Sequence, residues 1–180
     1  LRIRQAIKKV PFHSFNKLNV EKWIFTNFKI KLMPHKHIVD RYMETVERLG
    51  VVNDGAGLDY FIPVTDRVNE SDFPFSHLHG YVAIAIGAAH NTKKLPVEKL
   101  KALAEKIGYP VILLGGKDDF ANGEKIAESD PVKIYNACGK FSLNESADLV
   151  RRAKLVISHD TGLIHIAAAF KKNILSVWGN

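Results

Sequence analysis

Segments typical of buried strands alternate with segments typical of helices from residue 80 onward, and this alternation limits the fold more than any other feature. Strands are predicted at residues 81–87, 111–116, 132–138, 154–158 and 173–179. Helices are predicted at residues 96–107, around 121–128, at 142–153, where Ser142 and Glu145 form a capping box, and from 161 onward. Such alternation produces a parallel sheet with helices on both faces. The sequence therefore predicts an α/β fold that binds ligands at the carboxyl ends of its strands.

The amino-terminal part lacks this alternation. Residues 19–32 fit neither a helical nor a strand period cleanly, so their pattern does not decide between the two. Residues 36–49 carry an apolar stripe at helical spacing that Gly50 ends, and residues 51–78 are rich in turn formers. We therefore expect a basic amino-terminal segment at 1–50, a linker at 51–78 and a ligand-binding domain at 79–180.

Positive charge is concentrated at the start of the chain. The first fifty residues hold 11 Lys and Arg and 4 Asp and Glu, whereas the other residues hold 15 of each, so the whole net charge of +7 lies in the first part. Aromatic residues are interspersed with these charges. The segment fits contact with an anionic membrane surface, an acidic acceptor or nucleic acid, and a solvated basic face is the alternative.

Composition excludes several classes of protein. With 46% hydrophobic and 25% charged residues, the 180-residue chain has enough apolar side chains for a globular core. No apolar run approaches the roughly 18 residues of a membrane span, and the first residues lack the apolar stretch of a secretory signal, so we expect a cytosolic chain. Cys138 is the only cysteine, which excludes a disulfide framework and a thiolate metal cluster and predicts a small buried side chain. We expect neither a metal nor a cofactor.

The stretch LVISHDTGLIHIAAAF, residues 155–170, places Asp160, Thr161 and Gly162 between a strand and a helix. The same Asp-Thr-Gly triplet occurs in aspartic proteases, but there it needs an all-β setting and a second carboxylate, and this chain has no second copy. Leu163, Ile166, Ala167 and Phe170 have the spacing of a core stripe on the helix.

The start of this helix is a candidate anion site. Asp160 can cap the helix, Gly162 allows a ligand to approach the backbone, and the free N–H groups favour an anion such as a diphosphate. Thr161 and His165 form an i, i+4 pair on a neighbouring face. The alternative is an ordinary helix cap followed by a histidine that is satisfied by local hydrogen bonds.

Other strand ends supply further candidates. Lys93 and Lys94 follow the first strand. One of these lysines has a side chain long enough to contact a phosphate, and the alternative is an ordinary surface charge. After the second strand, Gly115 and Gly116 permit a tight turn, and Asp118 or Asp119 either accepts hydrogen bonds from ribose hydroxyls or caps the next helix. The absence of G-x-G-x-x-G, Walker, HExxH and nucleophile-elbow motifs disfavours dinucleotide oxidoreductases, P-loop enzymes, zincins and α/β hydrolases.

Four segments in order closely resemble the carboxyl half of the family-nine glycosyltransferases, the bacterial ADP-heptose:lipopolysaccharide heptosyltransferases. They are KKLP, LLGGKDD, NACGKFSLNESADLVRRAKLVISHDTGLIHIAAAF and ILSVWGN, and the likeness covers residues 80–180. Residues 36–50 also look like the last helix of that family's amino-terminal half. The resemblance implies one Rossmann-like half of a GT-B fold, together with a remnant of the other domain.

The resemblance also implies roles for individual residues. Lys93 is similar to the family's phosphate-contacting lysine, and Asp119 is loosely similar to its ribose-binding carboxylate. The segment that holds the donor's sugar and diphosphate is matched by Asp160, Thr161, Gly162, Leu163 and His165. Several heptosyltransferases carry paired threonines where this chain has Ala88 and Ala89, so the identity of the donor is open unless Asn91 or Thr92 replaces those hydroxyls.

The implied activity is an inverting transfer of a sugar, without a metal, from an ADP-sugar to a lipopolysaccharide or another cell-envelope glycan. The implied partners are the nucleotide sugar, that acceptor and an anionic membrane surface at the inner face of the cytoplasmic membrane, and no nucleic acid. None of Glu21, Asp40, Glu44 and Glu47 can be assigned as the base that activates the acceptor, so we expect a fragment with the donor site only, itself inactive. The alternatives are another GT-B enzyme, such as a nucleotide-sugar epimerase, and a nucleotide-binding domain without turnover.

Overall fold

The computed structural model describes residues 13–88 and 90–178. The chain divides into two compact units, and the boundary lies after Gly57. This boundary falls inside the segment 51–78 that the sequence suggests as a linker. No helix among the described residues is both long and apolar enough to cross a membrane.

The first unit contains helix α1 (Asn19–Phe28), helix α2 (Ile38–Met43) and a 3-10 turn at Glu47–Leu49. The apolar stripe at 36–49 predicts one continuous helix, and this prediction is wrong, because α2 ends at Met43. Neither α2 nor the 3-10 turn contains a buried residue, so the stripe gains no packing energy that would keep the helix intact. The Thr45 hydroxyl instead donates to the Tyr42 carbonyl oxygen at 2.6 Å, and Gly50 ends the 3-10 turn with a φ of 75°.

The second unit is built on a five-stranded sheet with the strand order β3-β2-β1-β4-β5. The strands are β1 (Val82–Ala85), β2 (Val111–Leu114), β3 (Ile134–Asn136), β4 (Leu155–Ser158) and β5 (Ile174–Ser176). Every neighbouring pair is parallel. The five predicted strands and their parallel arrangement are thus confirmed, although each strand is shorter than its apolar run, and Gly179 at the end of the last predicted strand lies outside the described residues.

Helices cover both faces of this sheet. They are α3 (Val97–Lys106), α4 (Phe120–Ala127), α5 (Leu143–Arg152) and α6 (Gly162–Ala169). One buried cluster joins α3 and α4 to the sheet through Leu100, Ala104 and Ile126, and it includes Cys138. The opposite cluster joins α5 and α6 to the other face. Successive residues of β1 and β2 alternate between the two clusters, because side chains of a strand point to opposite faces.

Two local predictions are confirmed. The Ser142 hydroxyl oxygen accepts from the Glu145 backbone N–H at 3.3 Å, while the Glu145 carboxylate accepts from the Ser142 N–H at 2.6 Å, which completes the capping box of α5. Cys138 is fully buried, and burial raises the pKa of its thiol to about 12. The thiol is therefore a neutral packing group.

Residues 58–78 belong to the second unit and pack on the face that carries α5. Val68 and Phe73 are buried in the cluster of that face. Asp148 of α5 is 0% exposed, accepts a 3.1 Å hydrogen bond from the backbone N–H of Val68, and pairs with Arg151 and Arg152 of its own helix. The buried carboxylate therefore fastens an irregular segment to a helix 80 residues later in the chain.

Candidate functional site

A cavity of about 380 Å³ opens at the carboxyl ends of β1 and β2 and beside the first turns of α5 and α6. Its polar and glycine wall comprises Gly87, Gly115, Gly116, Asp119, Thr161 and Gly162. Leu163 and Ala88 also line it, whereas Ala89 lies outside the described residues. The strand ends bring segments far apart in the sequence to one place, as expected of a parallel sheet.

Thr161, and not Asp160, caps helix α6. The Thr161 hydroxyl oxygen accepts from the Leu163 N–H at 3.1 Å, and the helix begins at Gly162. The expectation that Asp160 caps this helix is therefore wrong, because the Asp160 carboxylate is held elsewhere by Lys93. A Cβ atom on Gly162 would meet no heavy atom within 4 Å, so the first residue of the helix faces open space at the wall of the cavity.

Two lysines of the loop before α3 form ion pairs with two carboxylates from other strand ends. Lys93 donates to Asp160 Oδ2, and Lys94 donates to Asp119 Oδ1 at 2.8 Å. The hydrogen bond from Lys93 lowers the pKa of Asp160, and the charges of Lys93 and His165 act in the same direction. Each of the two lysines is thus paired with one carboxylate.

Asp119 occupies the turn after β2. Its Oδ2 accepts from the Gly116 N–H at 3.1 Å, so each of its oxygens already has a hydrogen-bond partner within the chain. Gly87 is required for this placement, because a Cβ atom there would lie 2.3 Å from Asp119 Oδ2. Asp119 is only 8% exposed, yet it forms part of the wall of the cavity.

His165 lies one turn into α6 and is exposed, and it is not part of the wall of the cavity. The core stripe of this helix is largely as expected, since Ile166 and Ala167 are buried and Leu163 and Phe170 pack partly buried against the same cluster. Ile164 is also buried, although it lies outside the predicted stripe. The structure therefore gathers Asp119, Thr161, Gly162 and Leu163 around the cavity and pairs Lys93 with Asp160 next to it.

Sequence reasoning missed an apolar wall and a buried histidine. Phe141 and Leu143, at the start of α5, line the cavity together with Ser146. They follow the third strand, so the rule that identified the other strand ends applies to them too. His159 is 1% exposed, and its Nε2 accepts from the Leu95 N–H at 2.9 Å. A lone histidine beside a motif gives no sign in the sequence of a partner 64 residues away.

Among the described residues, no group of three or more His, Cys, Asp or Glu side chains is arranged so that it could hold a metal ion. The N–H groups at the start of α6 contribute partial positive charge at the wall of the cavity, and Lys93 and Lys94 pair with carboxylates at the same strand ends. The arrangement therefore combines a cavity with an apolar wall, a glycine-rich wall and a helix start that favours an anion.

The sequence and the fold of the chain are similar to those of known glycosyltransferases. The chain is 35% identical over 94 residues to lipooligosaccharide heptosyltransferase 2 of Haemophilus influenzae, a match that covers 48% of this chain and 27% of that protein. The crystal structure of a family 9 glycosyl transferase from Veillonella parvula superposes with a TM-score of 0.67 at 28% identity, covering 79% of this chain and 43% of that one. The E. coli heptosyltransferase WaaC with ADP shares the fold, with a TM-score of 0.61 at 24% identity and coverages of 83% and 48%.

The chain spans from about a quarter to about half of the length of these three proteins. The sequence model of glycosyltransferase family 9 (heptosyltransferase) matches residues 2–180, which is nearly the whole chain. Its parallel sheet, with helices on both faces, is the half of a GT-B fold that the resemblance implies. The chain therefore belongs to glycosyltransferase family 9, the heptosyltransferase family.

Proposed function

We propose that this chain carries the donor-binding half of a glycosyltransferase that takes a sugar from a nucleotide-diphosphate sugar, with ADP as the nucleotide. The observation that carries the proposal is the cavity at the strand ends, where the glycine-rich turn after β2 and the open start of α6 face the same space. Family membership supports the reaction class. The relatives include heptosyltransferases, and WaaC was solved with ADP, which supports the choice of nucleotide.

In the proposed binding mode, the diphosphate lies against the backbone of Gly162, where the free N–H groups of α6 and its positive dipole end stabilise negative charge. Lys93 and Lys94 lie in the loop between β1 and α3, and each can exchange its carboxylate for a phosphate oxygen. The adenine ring of the nucleotide lies along the apolar wall of Phe141 and Leu143. Asp119 accepts one hydrogen bond on each oxygen from Lys94 and Gly116, which leaves acceptor capacity for a ribose hydroxyl.

Transfer in this scheme forms a bond between the acceptor oxygen and the anomeric carbon, while the bond from that carbon to the diphosphate oxygen breaks and the acceptor hydroxyl gives its proton to a base. The nucleoside diphosphate leaves with one more negative charge than it carried in the donor. The lysines and the helix start stabilise the charge that develops on this leaving group, the task that a metal performs in other transferases. We assign no base for the acceptor hydroxyl among the described residues.

We propose a lipopolysaccharide or related cell-envelope glycan as the acceptor, reached at the cytoplasmic face of an anionic membrane. The relatives include a lipooligosaccharide and a lipopolysaccharide heptosyltransferase, which supports the choice of acceptor. The exposed surface of the first unit supports the membrane contact. In α1, Trp23 and Phe28 are 59% and 60% exposed, and Lys22 and Lys29 are exposed beside them. Sedimentation with vesicles tests this contact: we expect binding to anionic vesicles that weakens with salt, and equal binding to zwitterionic vesicles would contradict it.

Calorimetric titration of the 180-residue chain with ADP, UDP and GDP tests the donor site. We expect saturable binding of ADP that is at least about tenfold weaker when Lys93→Gln and Lys94→Gln are combined, because both ammonium groups contact the diphosphate in the proposed mode, and tenfold corresponds to about 1.4 kcal/mol. Lys99→Gln combined with Lys106→Gln replaces two exposed lysines of α3 outside the wall of the cavity, and this charge-matched control should bind ADP as the unmodified chain does. A folded chain that binds none of the three nucleotides, or one that binds ADP equally well in all variants, contradicts the proposed site.

A further inference from the structure

His159 lies between the last residue of β4 and Asp160, and it is buried. Its Nε2 accepts from the backbone N–H of Leu95 in the loop before α3. A backbone N–H can only donate, so Nε2 carries no proton and the proton of the neutral ring lies on Nδ1. No described residue offers Nδ1 a hydrogen bond of good geometry. The connection to the loop therefore requires the neutral imidazole, in one tautomer.

Two consecutive residues hold this loop from the end of β4. Asp160 pairs with Lys93, and His159 accepts from Leu95, two residues further along the loop. Lys94 lies between these two points and extends to Asp119, at the end of a different strand. The backbone of the loop is thus fixed at Leu95, while its two lysines are directed to two separate carboxylates.

We propose that His159 is a positioning residue of the donor site: by fixing the backbone at Leu95 it places Lys93 and Lys94 where they contact the diphosphate. This inference rests on the proposed function. The imidazole itself does not touch the nucleotide, since its Nε2 is occupied and the ring is buried outside the wall of the cavity. Its effect on binding therefore passes through the two lysines.

Burial and a neighbouring positive charge keep the His159 imidazole in the neutral form that this hydrogen bond requires. Burial lowers its pKa, and the positive charge of Lys94 lowers it further. The backbone of Gly87 and the carboxylate of Asp119 act in the opposite direction without reversing the shift. The ring is therefore neutral at pH 7, where its Nε2 can accept from the loop.

Two substitutions at this position separate the hydrogen bond from the volume of the ring. Leucine in His159→Leu has no acceptor, whereas the amide oxygen in His159→Gln reaches about as far as Nε2 and accepts from a backbone N–H. With ADP as the probe and the 180-residue chain as the protein, we expect His159→Leu to weaken binding about tenfold, or about 1.4 kcal/mol. His159→Gln should stay within about threefold of the unmodified chain, or about 0.7 kcal/mol.

His77 provides a matched control. It is also 1% exposed, and its Nε2 lies 3.1 Å from the carbonyl oxygen of Val111, at the amino end of β2 and outside the wall of the cavity. His77→Leu removes a buried histidine of the same unit, so we expect a lower thermal midpoint with unchanged affinity for ADP. A general loss of stability would instead affect ADP binding in both leucine variants alike.

A double-mutant cycle tests whether the effect passes through the lysines. In a chain with Lys93→Gln and Lys94→Gln, we expect His159→Leu to change ADP affinity by less than about twofold, because coupled residues give non-additive effects. The inference is overturned if folded His159→Leu binds ADP as tightly as the unmodified chain, or if its full effect persists in the double-glutamine chain. Failure of the unmodified chain to bind ADP contradicts the proposed function itself, and this inference with it.

Discussion

Replacing Gly162 with alanine separates the stability of the second unit from its capacity to bind a ligand. A Cβ atom at this position meets no heavy atom within 4 Å, and the backbone is not in the left-handed region. Alanine therefore fits without strain, and it restricts the unfolded chain more than glycine does. Such substitutions stabilise a protein by about 0.4–1 kcal/mol. For a unit of this size we expect the thermal midpoint to rise by about 2 °C.

The effect on nucleotide binding should have the opposite sign. A phosphate oxygen that accepts from the first N–H groups of α6 lies about 3 Å from the backbone nitrogen. A methyl carbon needs about 3.5–4.0 Å to its neighbours, so the new side chain enters space that the ligand requires. Crowding of this kind costs about 1–3 kcal/mol. We therefore expect ADP to bind about 5-fold to 150-fold more weakly to Gly162→Ala.

Gly108→Ala is the matched control for this experiment. A Cβ atom on Gly108 also meets nothing within 4 Å, its backbone is likewise outside the left-handed region, and it lies away from the wall of the cavity. Thermal unfolding and ADP titration on both variants complete the comparison. A Gly162→Ala chain that is at least as stable as the unmodified chain and binds ADP with unchanged affinity would refute the close approach of the ligand to α6.

Two further predictions concern stability. Asp148→Ala leaves the Val68 N–H without its acceptor and two partly exposed arginines of α5 without their partner, so we expect the free energy of unfolding to fall by about 1–3 kcal/mol, and a loss below about 0.5 kcal/mol in urea titrations would contradict the assigned role. Burial lowers the pKa of His77 and of His159, so the unfolded chain binds more protons than the folded one just below the ordinary histidine pKa of about 6.5. Stability should therefore be complete above about pH 6.5 and decrease as the pH falls toward 5, and a flat profile over this range, measured by urea unfolding, would contradict the neutral state of both rings.

The sheet could be predicted from the sequence because its information is local. The central strands β1 and β2 are short apolar runs whose residues are all buried, and the capping box of Ser142 and Glu145 depends on residues three apart. The first unit was harder to predict from the sequence, because α2 ends where its apolar stripe has no partner to pack against. Without burial, the periodic pattern does not determine the length of the helix.

The site was predicted in its position and only partly in its contacts. Strand ends indicated Lys93, Asp119 and the segment from Asp160, and the structure brings these residues to one edge of the sheet. The roles within the segment depended on long-range partners. Thr161 takes the cap because the carboxylate of Asp160 is held by a lysine 67 residues earlier, and no spacing within the motif conveys that.

The pairing of both lysines with carboxylates has a consequence for how an anion exchanges with this site. Lys93 and Lys94 already have partners, so a diphosphate that bound as proposed would replace one anionic neighbour by another and would not fill a bare positive pocket. The displaced carboxylates would remain close by and able to return to the lysines. Departure of a charged product therefore need not expose two unpaired ammonium groups, which favours rapid exchange over tight retention.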